Sequence, residues 1–387
     1  MAMEVKLLQP VKVVCTDDLG ETLVDIMQTV GYSRPLMVTD SFVGSMPLVV
    51  AARTKLEQVG VDVAVFDQVK PDPLCETVES GVEAFEAHKA DSIIAIGGGS
   101  SMDVARGINI VRVNGGSIIE YTDPAKPIAP CNGMIAVPTT AGTGSEMSNA
   151  LVVTEGSTGR KLAVLADPAV SEYAVLNADL MLTLPAKMTI ACGLDAFCHA
   201  AEGYLSRMAS PVTDAICEKA MFLLYNYLPR AVANGQDREA RERVMVASTL
   251  AGWMLNNAGT IAGHSIAHVL GAKYHIVHGE AVGYALPAVM EFVAPVRAHK
   301  VREIGQILGA VYPENAPDEQ VAIIASRAFK DFRDRMLGLH PVEDYGISVE
   351  ELVSNAQAVV DERFAGNTPR DIDLQAAEQL LEGFGSR

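Results

Sequence analysis

Histidine and aspartate side chains at metal-binding spacing are the most informative chemistry in this sequence. Asp195 and His199 stand four residues apart, as do His264 and His268, and His278 follows ten residues later. Residues four apart on a helix project from the same face, so each pair can point at one ion. Imidazole and carboxylate suit a borderline divalent metal such as Fe, Mn, Co or Zn. The spacing therefore predicts a metal centre.

Small and apolar residues surround the Asp195 and His199 pair, which indicates burial. A buried carboxylate without a partner is costly, whereas a metal ion offsets its charge. We expect this pair and two of the three histidines at 264, 268 and 278 to bind the ion, which leaves the third for proton transfer or substrate contact. Glu202 lies on about the same helical face and could be a ligand or accept a hydrogen bond from one; we favour the second role. The alternative is a surface aspartate with structural histidines.

A glycine-rich turn follows an apolar run at residues 92–96 and precedes a helical pattern at 102–111. Glycine lets a backbone approach a ligand closely, and a helix start presents N–H groups and a positive dipole end to an anion. A plain tight turn is the alternative. The pattern predicts a pyrophosphate site at Gly97, Gly98, Gly99, Ser100 and Ser101.

A second segment, rich in hydroxyl groups, follows the strand-like run at 134–138. Hydroxyls and backbone amides suit ribose and phosphate oxygens, although a helix cap would use the same residue types. The candidate cofactor contacts in this segment are Thr139, Thr140, Thr143 and Ser145.

Asp40 closes the strand-like run at 35–40. A carboxylate at the end of a strand can accept hydrogen bonds from the adenosine ribose and would repel a 2′-phosphate, so NAD would be preferred over NADP. Capping of the next helix is an equally good interpretation of the same residue. The usual G-x-G-x-x-G fingerprint is absent near residue 15, which argues against an ordinary Rossmann half.

The elements that must position these groups change in character along the chain. The first half predicts strands at 11–15, 35–40, 61–66, 92–96 and 134–138, alternating with helices at 19–30, 47–59, 75–88 and 102–111. Such alternation indicates a mostly parallel sheet covered by helices. From residue 188 the pattern is helical, with examples at 212–227, 241–256, 301–308 and 320–337. We predict an α/β dinucleotide-binding domain at 1–185 and an all-α metal and substrate domain at 186–387.

Composition narrows the class of protein. The 387 residues carry a net charge of −18, which argues against nucleic acid as a partner because phosphate binding needs clustered Lys and Arg. The six cysteines include no CxxC pair, and neither a secretory signal nor a run of 18 apolar residues is seen. We therefore expect a cytoplasmic protein without membrane contact, and a homo-oligomer, as is common for enzymes of this size.

These motifs together resemble the iron-containing (group III) alcohol dehydrogenases, a group that includes lactaldehyde reductase and propanediol dehydrogenase. The resemblance depends on stretches between residues 97 and 279, in the family's order: 97–103 (GGGSSMD), 138–146 (PTTAGTGSE), 193–204 (GLDAFCHAAEGY), 264–268 (HSIAH) and His278-Gly279. It implies an NAD(H)-linked, metal-dependent enzyme that interconverts a small primary alcohol and its aldehyde. Iron(II) is the metal that the resemblance favours, with Zn(II) and Mn(II) left open.

Residue roles also follow from the resemblance. It implies that the metal ligands are Asp195, His199, His264 and His278. His268 would be the free, catalytic histidine. Added to the cofactor contacts are Asp103, within the glycine-rich stretch, and Lys161, which looks like the family lysine near the cofactor ribose.

This chain also departs from the family pattern. Asp72 stands where relatives often have Asn between two prolines, and residues 16–20 differ from the usual Phe-Gly segment.

The rival interpretations of the sequence are a glycerol dehydrogenase-like or dehydroquinate synthase-like enzyme and, outside catalysis, a metal or nucleotide sensor.

Overall fold

The computed structural model describes residues 6–386, and its backbone contacts divide the chain into two compact units. One unit spans Leu8–Leu182 and contains all of the strands described; the other runs from residue 183 to the end of the described chain and is helical. The predicted boundary at residue 185 lies close to this division. No helix in the described residues has the length and apolar character needed to cross a membrane.

The first unit is built on a six-stranded parallel sheet with the strand order β1-β8-β5-β4-β2-β3. A separate antiparallel pair, β6 and β7, accompanies it. The strands are β1 (Lys12–Cys15), β2 (Pro35–Val38), β3 (Ala64–Phe66), β4 (Ser92–Gly97), β5 (Met134–Pro138), β6 (Ala150–Thr154), β7 (Lys161–Leu165) and β8 (Tyr173–Leu176). The helices are α1 (Leu19–Val30), α2 (Ser41–Gly44), α3 (Pro47–Gln58), α4 (Cys75–His88) and α5 (Gly99–Asn114), with 3₁₀ turns at Ile118–Thr122, Asp167–Ala169 and Ala178–Met181.

Strands β4 and β5 are buried along their whole length, as expected for parallel strands covered on both faces. Alternate residues of β4 point to opposite faces, so Ile93 and Ala95 join one apolar core and Ile94 and Ile96 join the other. Helix α1 shows how local sequence sets an element: Asp18 caps its start and Gly31 ends it in the left-handed conformation. The sheet is therefore a rigid platform for the loops at its carboxyl edge.

The second unit is a helical assembly in which α6 packs against α7, α8 and α10. Its helices are α6 (Ala186–Leu205), α7 (Pro211–Ala233), α8 (Arg238–Asn257), α9 (Ala262–Tyr274), α10 (His278–Ile307), α11 (Asp318–Lys330), α12 (Val349–Val353), α13 (Ala356–Asp361) and α14 (Leu374–Glu382). A π-helical segment at Asp331–Met336 and 3₁₀ turns at Val342–Tyr345 and Arg363–Asn367 join them. The expected α/β unit followed by an all-α unit is confirmed.

Several features of the first unit differ from the sequence prediction. The β6–β7 hairpin and the short strand β8 were not predicted, and α5 begins at Gly99 rather than at Met102. The glycine-rich turn is thus partly the first turn of a helix, which strengthens its match to an anion-binding helix start.

Candidate metal centre and nucleotide site

Helix α6 places Asp195 and His199 one turn apart in its buried middle section. The helix passes very close to α10, because a Cβ atom added at Gly279 would lie 1.9 Å from the carbonyl oxygen of Ala191. Only glycine permits this approach, and it brings the first residue of α10, His278, to the carboxylate of Asp195. Helix α9 supplies His264 and His268 from one face, as the spacing predicts.

Three imidazoles surround one oxygen of Asp195. The Oδ1 atom lies 3.5 Å from Nε2 of His199, 3.7 Å from Nε2 of His264 and 3.4 Å from Nε2 of His278. A tetrahedral ion with bonds of about 2.1 Å separates its ligand atoms by about 3.4 Å. The donor atoms are therefore spaced as an ion between them would require.

Burial supports the same interpretation. The ligand atoms of Asp195, His199 and His264 all lie within 4.8 Å of one another, and all three residues are buried. Within residues 6–386, Oδ1 of Asp195 and Nε2 of His264 are buried polar atoms that make no hydrogen bond of ordinary geometry. Buried polar atoms are normally satisfied, so these two indicate a missing positive partner. The residues present fit a divalent cation.

His278 differs from the other three predicted ligands. It approaches Asp195 but lies outside the group of atoms within 4.8 Å, and its side chain is 43% exposed. The cluster therefore has a buried side, formed by α6 and α9, and a solvent side at the start of α10.

Glu202 holds the ring of His264. Its Oε1 lies 2.8 Å from Nδ1 of His264, while Oε2 accepts hydrogen bonds from the backbone N–H groups of Ile261 and His264 at 2.7 and 3.3 Å. Glu202 is fully buried. A carboxylate that accepts from Nδ1–H leaves Nε2 as a lone-pair donor, which is the form a metal needs. Glu202 therefore lies in hydrogen-bond contact with a predicted ligand, and its part in metal binding stays a prediction.

The carboxylates and imidazoles of the cluster shift one another's pKa values. Burial raises the pKa of Asp195, but the surrounding imidazoles of His199 and His278 bring it well below its usual value. Burial lowers the pKa of His264, but the carboxylates of Glu202 and Asp195 raise it to about 10. The carboxylate is therefore ionised, and a cation that binds at Nε2 of His264 must displace the proton that this raised pKa favours.

His268 stands beside the cluster. Its ring stacks on that of His278, with centroids 5.4 Å apart and planes inclined by 18°, and it meets the ring of His264 edge to face. Its Nδ1 lies 3.0 Å from Oε1 of Glu362. Burial lowers the pKa of His268 and outweighs the raising effect of Glu362, so the ring is neutral at pH 7.

The candidate nucleotide segments lie side by side at the carboxyl edge of the sheet. Strand β4 stands between β2 and β5, and Asp40 follows β2, the glycine-rich turn ends β4, and the threonine-rich segment follows β5. The chain leaves β2 towards β3 and leaves β4 towards β5, in opposite directions. Ligands bind to open α/β sheets at such switch points.

The glycine and threonine segments contact each other directly. A Cβ at Gly98 would lie 3.3 Å from the Thr140 side chain, and one at Gly99 would lie 3.0 Å from that of Thr143. A Cβ at Gly97 would lie 2.3 Å from Oγ of Ser101. Because the glycines have no side chains, they do not cover the start of α5. Ser100 lies in the first turn of this helix.

The remaining residues of the threonine segment form hydrogen bonds with other parts of the first unit. The N–H of Ser145 donates to Oγ1 of Thr143, and the carbonyl of Ser145 accepts from Arg106, while the N–H of Thr139 donates to the carbonyl of Gly97. Asp103 accepts a hydrogen bond from the N–H of Val152 and lies 3.9 Å from Arg106. These contacts are structural, and cofactor roles for Ser145 and Asp103 stay predictions.

Asp40 is the N-cap of α2, since its Oδ1 accepts from the N–H groups of Phe42 and Val43 at 2.9 Å each. Asp40 therefore caps the helix, as one of the two interpretations expects. The cap also holds its carboxylate at the strand end, where a ribose contact is predicted.

Lys161 forms a salt bridge with Asp72, Nζ to Oδ1 at 2.6 Å. Asp72 stands where relatives often have Asn, and its carboxylate pairs with the lysine that is expected near the cofactor.

Two functional candidates were not found from the sequence. Glu362 lies 94 residues from His268 along the chain, and no local spacing connects them. Arg106 is fully buried and donates to the carbonyls of Ser145, Ala150 and Ala169, which joins three separate segments of the first unit. An arginine within the apolar pattern of α5 was the only available signal.

Comparison with known proteins agrees with both halves of the chain. The family described as iron-containing alcohol dehydrogenase matches residues 10–178, and the Fe-containing alcohol dehydrogenase family, C-terminal, matches residues 189–384. The chain is 34% identical over 362 residues to the NAD-dependent methanol dehydrogenase of Bacillus methanolicus, covering 92% of this chain and 93% of that protein.

Two further relatives are similar over nearly their whole length. Identity to the lactaldehyde reductase of Escherichia coli (strain K12) is 32% over 364 residues, which cover 92% of this chain and 94% of that protein. The crystal structure of a 1,3-propanediol oxidoreductase superposes with a TM-score of 0.90 at 30% identity, over 99% of this chain and 100% of that one. The chain belongs to the iron-containing alcohol dehydrogenase family.

Proposed function

We propose that the protein is a metal-dependent, NAD(H)-linked dehydrogenase that interconverts a small primary alcohol and its aldehyde. The observation behind this proposal is the buried group formed by Asp195, His199 and His264, in which two polar atoms make no hydrogen bond of ordinary geometry within residues 6–386. Named relatives that act on methanol, lactaldehyde and 1,3-propanediol support the small substrate, and the NAD-dependent relative supports the cofactor.

The metal ligands in this proposal are Asp195, His199, His264 and His278. A divalent ion held by them supplies Lewis acidity toward a substrate oxygen. Three neutral imidazoles and one carboxylate leave a net positive site, which favours developing negative charge on that oxygen. Fe(II) follows from the family, and Zn(II) or Mn(II) would fit the same nitrogen and oxygen donors.

The first unit binds the cofactor in this proposal. Its pyrophosphate would meet the start of α5, at Gly97, Gly98, Gly99, Ser100 and Ser101, where a helix dipole favours anions. Contacts to the phosphates and the nicotinamide side would come from Thr139, Thr140, Thr143 and Ser145, with Asp103 in support. Asp40 would meet the adenosine ribose and Lys161 would approach a cofactor ribose. The carboxylate of Asp40 favours NAD over NADP.

His268 moves the hydroxyl proton in the proposed mechanism. When bound, NAD⁺ would supply the hydride acceptor for the alcohol carbon. His268 would carry the hydroxyl proton to water. Because His268 is not a proposed ligand, the His268→Ala variant should keep its metal and lose on the order of 10²-fold or more in kcat. Loss of the metal instead would make His268 a ligand and overturn this assignment.

The experiment that tests the function follows NADH oxidation with short aldehydes. Protein purified without oxygen is assayed for metal by elemental analysis, then assayed for activity before and after chelation, and again after addition of Fe(II), Zn(II) or Mn(II). We expect activity to disappear with the metal and to return with at least one ion. Full activity in metal-free protein would refute the proposal. A screen of simple alcohols, diols and hydroxy acids then identifies the substrate.

Two further properties belong to the proposal. We propose a cytoplasmic location, supported by six cysteines that form no disulfide in the described residues. We also propose a homo-oligomer, because symmetric self-association is common among enzymes of this size. Light scattering coupled to size-exclusion chromatography measures the second property, and a monomer at micromolar concentration would refute it.

A further inference from the structure

Glu362 joins α13 to the following 3₁₀ turn and directs its carboxylate at α9. Its Oε2 accepts from Oγ of Ser265 at 2.7 Å and from the N–H of Phe364 at 2.8 Å. Its other oxygen, Oε1, lies 3.0 Å from Nδ1 of His268. One oxygen is therefore held by two donors, and the other is aimed at a single imidazole nitrogen.

The chemistry of these contacts determines the proton on His268. An ionised carboxylate has no proton to donate, so a hydrogen bond between it and Nδ1 requires the proton on Nδ1. A neutral imidazole carries only one N–H, and its other nitrogen, Nε2, then has the lone pair. The ring is also held sterically, between His278 on one side and the ring of Phe364 with its centroid 5.5 Å away.

We propose that Glu362 is a positioning residue that keeps His268 in the Nδ1–H tautomer, so that Nε2 is free to accept the substrate proton. This inference rests on the proposed function, in which His268 moves that proton. In the oxidation direction, the hydroxyl proton passes to Nε2 and then to water, while the hydride and its two electrons pass to NAD⁺. Glu362 stabilises the imidazolium that forms between these two transfers and does not itself take the proton.

Substitution of Glu362 by glutamine reverses the predicted tautomer. Gln has one acceptor and one donor group, and the backbone N–H of Phe364 cannot change its role. The amide oxygen must therefore face Phe364, which places the NH₂ group against Nδ1 of His268. Since that nitrogen must then accept, the proton moves to Nε2, and the group needed for proton transfer is blocked. The Glu362→Asp variant keeps the acceptor on a shorter side chain.

The experiment compares wild type, Glu362→Gln and Glu362→Asp with the control Asp361→Asn. Asp361 is the adjacent, exposed carboxylate, and its hydrogen bond is to Gln357 on the same helix. Three quantities are measured for each protein: metal content, kcat with KM for NAD⁺, and the ¹⁵N shifts of His268. The shifts are recorded on histidine-labelled, zinc-loaded protein, because Zn(II) is diamagnetic, and they are assigned with His268→Ala.

We expect Glu362→Gln to lose on the order of 10²-fold in kcat, within the range for general acid–base groups, with unchanged metal content and KM for NAD⁺. Its His268 signal should change from Nδ1–H to Nε2–H. Glu362→Asp should recover at least tenfold of the lost rate, and Asp361→Asn should match wild type.

Two results would overturn the inference: a wild-type His268 protonated on Nε2, or a Glu362→Gln protein with wild-type kcat. Loss of metal or of folded protein in Glu362→Gln, without rescue by Glu362→Asp, would show a structural role instead. The tautomer measurement needs no turnover. If wild type oxidised no alcohol, the proposed function would fail while the tautomer assignment could still be tested by itself.

Discussion

Replacement of Gly279 by alanine tests whether the close approach of α10 to α6 builds the metal centre. The added Cβ would stand 1.9 Å from the carbonyl oxygen of Ala191, whereas such contacts are essentially never shorter than 3.0 Å. The two helix backbones must therefore separate by at least 1.1 Å, the difference between these distances. A backbone atom cannot rotate away as a side chain can.

That separation acts on two proposed ligands at once. His278 precedes Gly279 directly, and the Ala191 carbonyl is the α-helical acceptor for the N–H of Asp195. A metal–ligand bond is about 2.1 Å long, so a shift of 1.1 Å removes His278 from the ion or strains Asp195. We expect a loss of metal affinity of about 10–100-fold, which is the range seen when groups that orient ligands are removed. Overpacking should also destabilise the fold by about 1–3 kcal/mol.

Gly283→Ala is the matched control, one turn later on the same helix. Its Cβ would lie 3.2 Å from Cδ1 of Leu194, a side-chain atom that can move by the small distance required. Alanine is also the better helix former, by about 1 kcal/mol. Metal affinity is measured by competition with a chromophoric chelator, and stability by denaturant unfolding. Equal affinity in both variants and wild type would refute the reasoning.

Three further predictions concern polar side chains with several hydrogen-bond partners. Glu202→Gln should weaken metal binding by about 10–100-fold, because its amide oxygen stays on the N–H of Ile261 and its NH₂ then faces His264; chelator competition measures this. Arg106→Met should destabilise the first unit by about 3–5 kcal/mol in denaturant unfolding, since three carbonyls lose their donor and Asp103 loses its counter-charge. Asp91→Asn should flatten the acid limb of stability against pH. Burial raises the pKa of Asp91, but its hydrogen bonds to residues 33, 34 and 92 lower it below 3.8 overall. The stabilisation is thus present above the unfolded pKa and is lost as the pH falls through the folded one.

Each of these predictions has a result that contradicts it. Glu242→Gln, a change at a half-exposed carboxylate paired with Arg238, is the control for Glu202→Gln, and equal metal affinity in the two would exclude the role of Glu202. Unfolding of Arg106→Met at the wild-type denaturant midpoint would show that its three carbonyls find other donors. Parallel stability curves for Asp91→Asn and wild type between pH 5 and 3 would show that Asp91 titrates alike in both states.

Much of the fold is encoded locally. Leu19–Val30 and Cys75–His88 were predicted with the bounds that the structure shows, because apolar periodicity and clear end signals coincide there. The β6–β7 hairpin was missed because the outward residue Val152 is apolar, so the alternation of buried and exposed positions is invisible in residue type. Strand β8 was missed because four buried residues resemble any short apolar run.

Some residues of the candidate site could likewise be predicted from local sequence, and others could not. The pairs at 195 and 199 and at 264 and 268 have a four-residue spacing, so one sequence window is enough to suggest them. Glu362 meets His268 only because separate helices pack together, and the approach of Gly279 to Ala191 depends on how two helices cross. Contacts between distant segments have no periodic signature, and they become visible only in three dimensions.

The exposure of His278 has a kinetic consequence. Asp195, His199 and His264 are sealed inside the helical unit, whereas His278 forms the solvent side of the cluster. In the proposed site, where His278 is a ligand, an ion can leave when this one side chain changes rotamer, without the helices unfolding. The affinity for the ion and its residence time are then separate properties. Protein stored in dilute buffer should exchange its ion for whichever transition metal is most abundant, so the metal found after purification reports the last solution as well as the cell.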